Sequence, residues 1–117
     1  MKISITPLDR LFAKYIKLRD KVCQRCGCYS KNLQASHFHS RRKKSVRWDE
    51  DNVCLLCFGD HIYLDGNPIE HTAFMLKRLG QEKFDNLNIR AEWRVRRRDL
   101  EMVKIYIQAK LREIIPQ

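Results

Sequence analysis

Asp51-Asn52-Val53-Cys54-Leu55-Leu56-Cys57-Phe58-Gly59-Asp60-His61 carries three structural signals in succession. Asp51-Asn52 is a turn pair, because both side chains readily bond to nearby backbone. Val53-Cys54-Leu55-Leu56 is an apolar run of strand length. Cys57 then stands at a strand-to-helix junction, and a short helix begins near it and ends before Asp65-Gly66.

Toward the N-terminus, Ser40 to Ser45 reads as an exposed basic loop and Leu33 to Phe38 as a second short strand. Cys23-Gln24-Arg25-Cys26-Gly27-Cys28 is a cysteine-rich turn. Before it, Thr6-Pro7-Leu8-Asp9 reads as a helix start, with Thr6 capping, Pro7 in the first turn and acidic Asp9 near the positive helix end. Leu8, Leu11, Phe12, Tyr15 and Ile16 recur at helical spacing through Arg19. Toward the C-terminus, Asn67-Pro68 opens a helix that Gly80 stops. A short helix over 81–87 follows, and then a final one over 99–114, with Leu100, Val103, Ile107, Leu111 and Ile114 on one face. Strands and helices do not alternate, so the fold class is α+β. One domain is expected over 1–117, with a leading helix (8–21), a metal-bearing core (22–66) and a helical C-terminal extension (67–117).

A chain of 117 residues buries only a modest core, so a metal staple would help it fold. No apolar run approaches the roughly 18 residues that a membrane span needs. The first residues carry no signal-peptide core, so a cytoplasmic location is expected. In a reducing compartment clustered cysteines are more often metal ligands than disulfides, and the odd count of 5 also argues against full pairing. A net charge of +10 favours a polyanionic partner, with nucleic acid ahead of an anionic membrane surface.

Cys23 and Cys26 form one C-x-x-C knuckle, and Cys54 and Cys57 a second. Paired knuckles can place four thiolates tetrahedrally around Zn²⁺ in a closed structural site. Cys54 lies inside an apolar run and can simply face the core. The natural C-x-x-C partner of Cys57 is position 60, which is Asp60, and a carboxylate oxygen also binds zinc. The expected ligands are therefore Cys23, Cys26 and Cys57, with the fourth place divided between Asp60 and Cys54, and Cys28 a further candidate.

His37, then Asn52, then His61 directly after the second metal-binding turn resembles the HNH, or ββα-metal, nucleases. The zinc-bearing version of that motif reads N-L-x-x-L-C-x-x-C-H, matched here from Asn52 to His61 apart from Val53 and Asp60. The leading helix from Leu8 to Asp20, the Arg47-Trp48-Asp49 segment and the Gly66-Asn67-Pro68 turn are similar to those of phage recombination proteins of the NinG/Rap type. The likeness spans roughly Leu8 to Leu87.

The resemblance implies a DNA endonuclease acting in recombination or on branched DNA. It makes His37 the general base and His61 a ligand of a catalytic Mg²⁺ or Mn²⁺ ion that stabilises charge at the scissile phosphate. Asn52 becomes the residue that ties the connecting loop and orients the base. Hydrolysis would leave a 5′ phosphate. The position before the base, often a second metal ligand, is Ser36, and His39 or Asp65 could compensate. A degraded site on the same fold would instead give a catalytically inactive DNA-binding module. A zinc-ribbon-like adaptor would follow if His37 and His61 shared no cleft.

Arg41, Arg42, Lys43, Lys44 and Arg47 flank this motif, and Arg94, Arg96, Arg97 and Arg98 cluster near Trp93. Both sets are candidate phosphate contacts, which position a nucleic acid without reading its sequence. Cutting both strands of a duplex needs two active sites, so a homodimer is also expected.

Overall fold

The computed structural model describes residues 3–115; Met1, Lys2, Pro116 and Gln117, at the ends of the expected domain, lie outside it. Helix α1 (Pro7–Asp20) starts at a reciprocal cap, in which the Asp9 N–H donates to Thr6 Oγ1 and the Thr6 N–H to the Asp9 carboxylate. Strands β1 (Gln34–His37) and β2 (Val53–Leu56) pair antiparallel, with Ser36 opposite Cys54 and His37 opposite Val53. Helix α2 (Phe58–Asp65) leaves β2 after one residue, Cys57. Helices α3 (Pro68–Leu79), α4 (Gln81–Arg90) and α5 (Arg97–Ile114) complete the described elements. Among the described residues this is an α+β arrangement of five helices and one two-stranded sheet.

Two clusters of buried side chains hold the layers together. In the first, Phe12, Tyr15 and Ile16 of α1 cover β2 and meet Ile107 and Leu111 of α5. All four residues of β2 are buried, which is why the strand reads as a continuous apolar run rather than an alternating one. In the second, Met75 of α3 and Phe84 and Leu87 of α4 close over Val46. Phe74 packs on both clusters and joins them. Each fully buried Leu, Ile, Phe or Met side chain contributes about 1.5–3 kcal/mol.

Two boundaries differ from the sequence reading for clear reasons. α4 runs three residues past the expected end at Leu87 because its buried face continues through Leu87 to Ala91 against the second cluster. α5 begins at Arg97 rather than Asp99 because the Asp99 carboxylate accepts the Arg96 N–H (2.8 Å) and so caps an earlier turn. Asn67 does not cap α3 with its side chain; its Nδ2 donates back to the Tyr63 carbonyl (2.6 Å).

The segment between the strands, residues 38–52, is only partly an exposed loop. Ser40 and Arg42 to Lys44 face solvent, whereas Val46, Arg47 and Trp48 are buried. It is anchored to α1 through Asp9, whose carboxylate receives the Arg47 guanidinium and the Trp48 indole N–H (2.9 Å). Burial alone would raise the Asp9 pKa, but Arg47 and the Thr6 N–H outweigh it and bring the group down to about 2. Among the described residues no helix is long and apolar enough to cross a membrane.

Candidate metal centre and candidate active cleft

The cysteine-rich turn folds back on itself, with the Cys23 N–H bonded to the Cys28 carbonyl and the Gly27 N–H to the Cys23 carbonyl (both 2.9 Å). Gly27 sits at φ +78°, a left-handed conformation that residues with a Cβ rarely adopt. That reversal brings Cys28 beside Cys23 and Cys26. Cys57 meets them from the N-cap of α2. The four sulfurs of Cys23, Cys26, Cys28 and Cys57 lie within 4.8 Å of one another, so this cluster can hold a structural metal such as zinc. Tetrahedral ligands about 2.3 Å from a zinc ion lie about 3.8 Å apart, and the Cys26–Cys57 sulfur separation is 3.9 Å. Backbone N–H groups point at the sulfurs, as from Cys26 to Cys23 and from Asp60 to Cys57 (both 3.5 Å). Burial pushes the Cys23 thiol up, but the N–H groups of Cys26, Cys57 and Arg25 bring it below its usual value, which favours the thiolate a metal needs.

The fourth sulfur is therefore neither of the two favoured alternatives. Cys54 is 2% exposed in the first core cluster, and burial pushes its thiol up to about 11. Its sulfur is not among the four that cluster, so Cys54 packs in the core. Asp60 stands against the cluster without joining it. Its Oδ2 accepts from Cys23 and Cys57 (3.2 and 3.3 Å), and its Oδ1 is paired with Arg25. The Arg25 guanidinium also lies over the Tyr63 ring at 4.5 Å, which pins the knuckle to α2.

On the other side of α2 an open cleft of about 660 Å³ is lined by residues that include Gln34, His37, Arg41, His61 and Asp65. His37 comes from the end of β1, Arg41 from the following loop, and His61 and Asp65 from successive turns of α2. The His37 Nε2–H donates to the Arg47 carbonyl (2.8 Å), which fixes the tautomer and leaves Nδ1 without its proton. Burial, the largest influence, holds the His37 pKa below the ordinary histidine value, although the Arg47 carbonyl opposes this. The ring is thus neutral near pH 7 and able to accept a proton.

His61 bonds through Nδ1 to Gln34 Oε1, and its Nε2 lies 3.2 Å from Asp65 Oδ2. Adjacent ligands of an ion bound at 2.0–2.1 Å are separated by about 3.0 Å. Two donor atoms at that spacing, facing a cleft, can occupy neighbouring positions on one small divalent cation. Gln34 was not recognised from the sequence. Only the strand pairing and the helix that follows place it against His61.

Asn52 is fully buried and ties both ends of the intervening loop. Its Oδ1 accepts the His39 N–H (2.7 Å), and its Nδ2 donates to the carbonyls of His39 (3.1 Å) and Val46 (2.9 Å). None of these side-chain bonds goes to His37 or His61. Asn52 holds the backbone at Val46, next to Arg47, whose carbonyl in turn bonds to His37.

Two expectations need correction. His39 does not reach the cleft, because its Nε2 is bonded to Asn88 of α4 (2.8 Å) and its ring packs edge-on against Phe38. The alternation that would have put it on the His37 side ends with β1 at His37. Arg47 is 5% exposed and spent on Asp9 and the Ser4 carbonyl, so it is an internal tie rather than a phosphate contact. Ser36, named from the sequence as a departure from the ligand pattern, is 2% exposed with its Oγ unbonded and does not line the cleft. Arg42, Lys43, Lys44, Arg94, Arg96, Arg97 and Arg98 are exposed.

No curated protein and no solved structure matches the chain. The family described as Bacteriophage Lambda NinG protein matches residues 3–115, nearly the whole length. That span includes the four-cysteine cluster, the cleft and all five helices, and the chain belongs to the bacteriophage lambda NinG family.

Proposed function

We propose that the chain is a metal-dependent DNA endonuclease of the HNH type, acting in phage recombination or on branched DNA. The observation that carries this reading is the meeting of His37 and His61 in one cleft, with the His37 tautomer set by the Arg47 carbonyl. The order β1, loop, β2, α2 supports a ββα-metal core, and family membership supports the phage recombination setting. A net charge of +10 suits a phosphodiester substrate.

In this reading Nδ1 of His37 takes a proton from water as its oxygen attacks phosphorus and the bond to the 3′ oxygen breaks. Arg41 docks the phosphate. His61 Nε2 and Asp65 would hold a Mg²⁺ or Mn²⁺ ion, which would stabilise charge on the phosphate and the leaving oxygen. Gln34 keeps the proton of His61 on Nδ1, so that Nε2 would be free to bind such an ion; partners of this kind orient ligating histidines. Cutting both strands of a duplex would take two copies of the chain.

Ser36 favours a second reading, a DNA-binding module of the same fold without activity. One experiment separates the two. Zinc-loaded protein is incubated with supercoiled plasmid and a four-way junction in Mg²⁺, Mn²⁺ or EDTA, beside His61→Ala. Metal-dependent nicking that the variant loses supports the enzyme. Binding without nicking in either metal supports the module, and no DNA affinity at moderate salt rejects both.

A further inference from the structure

The two arginine-rich segments are distant in sequence but adjacent in the fold. Lys43 of the basic loop pairs with Glu92 (3.2 Å), and Arg90 pairs with Asp49 (2.7 Å). His39, next to the loop, bonds to Asn88. These three ties fasten the end of α4 to the 38–52 segment, so the cleft residue Arg41, the loop cations and the 91–96 linker share one side of the molecule. Trp93 stands on that linker and is 61% exposed. Among the described residues its ring meets no other aromatic ring or cation, and its Nε1–H has no acceptor. Arg94, Arg96, Arg97 and Arg98, all exposed, follow it and form no ion pair among the described residues.

An exposed indole is unusual on a protein surface, where aromatic rings are normally buried. Followed in the chain by four exposed arginines, it has the composition of a platform for a single strand: cations track the phosphates while a ring stacks on an unpaired base. We infer that Trp93 is a base-stacking residue of a single-stranded DNA site, continuous with the cleft through Arg41 to Lys44. The inference rests on the reading of the chain as a DNA-binding protein but not on its being a nuclease. Duplex DNA keeps its bases stacked inward, so it offers Trp93 only phosphates.

The test uses the full zinc-loaded chain and its own fluorescence. Trp48, the other tryptophan, is buried and bonded to Asp9, and so serves as an internal reference. Titration with a single-stranded oligothymidine should quench the emission, and Trp93→Phe should abolish that quench while binding the strand within a few-fold of wild type. Trp93→Ala should weaken single-strand binding by about tenfold or more in anisotropy, with duplex affinity changed less than about twofold. Thermal unfolding of both variants should match wild type. Unchanged single-strand affinity in Trp93→Ala would overturn the inference, as would a quench that persists without Trp93. A blue shift with anionic lipid vesicles in place of a response to DNA would also overturn it and assign the surface to a membrane. Wild-type protein that binds duplex but shows no quench with the single strand would sink this inference alone, whereas wild-type protein that binds no DNA would sink the proposed function with it.

Discussion

Replacing Asn52 tests how the cleft is held together. Its side chain makes three hydrogen bonds at a fully buried position, two donated to carbonyls and one accepted from an N–H. At about 1 kcal/mol each, Asn52→Ala should cost about 3 kcal/mol, and more if no water reaches the freed groups. For a domain of this size that lowers Tm by roughly 10–20 °C. Asn52→Asp has the same shape but opposes a carboxylate oxygen to the carbonyls of His39 and Val46. It should therefore be at least as destabilising as alanine, because a buried unpaired charge is costly. The assay is calorimetric unfolding at saturating zinc, paired with the nicking rate at a temperature where each variant is folded. Nicking should fall in both, since the Arg47 carbonyl would no longer hold His37 in place. An Asp variant as stable as wild type would refute this account, and so would an Ala variant within about 0.5 kcal/mol of it, the range of ordinary surface substitutions.

Zinc retention distinguishes the cysteines: Cys28→Ala should lose most of its metal affinity in a chelator-competition assay, whereas Cys54→Ala should keep one zinc per chain. Asp9 is held at about 2 against an ordinary 3.8, a difference worth about 2 kcal/mol. Because the folded value is the lower one, that stability is present above about pH 4 and drains away as pH falls toward 2. Asp9→Asn should be less stable at neutral pH and show a flatter acid limb in denaturant titrations. The His37 pKa lies below the usual 6.5, so the acid limb of the nicking profile should fall at lower pH than an exposed histidine would give.

Local signals in the chain were legible because they depend on neighbouring residues. Thr6 and Asp9 announced a helix start, the apolar run from Val53 to Leu56 announced a buried strand, and Gly80 announced a helix end. The knuckle was legible down to three of its four sulfurs. Cys28 was harder to place because its arrival depends on the left-handed turn at Gly27, which spacing alone does not show. Partners far apart in sequence were not legible. Arg47 reads as one more cation of a basic loop until Asp9 is found beside it in space. Gln34 gains meaning only when α2 brings His61 against it. His39 looked equivalent to His37 under a two-residue alternation that stops one residue too early.

The reading rests most heavily on His37 acting as a base within the cleft, and chemical rescue tests this directly. The nicking rate of His37→Ala, folded and zinc-loaded, is measured with and without added imidazole in Mn²⁺. The account predicts a loss of about 10²–10⁴-fold, unchanged DNA affinity, and partial recovery that rises with imidazole concentration and with the fraction unprotonated. A variant that nicks at the wild-type rate would contradict the assignment.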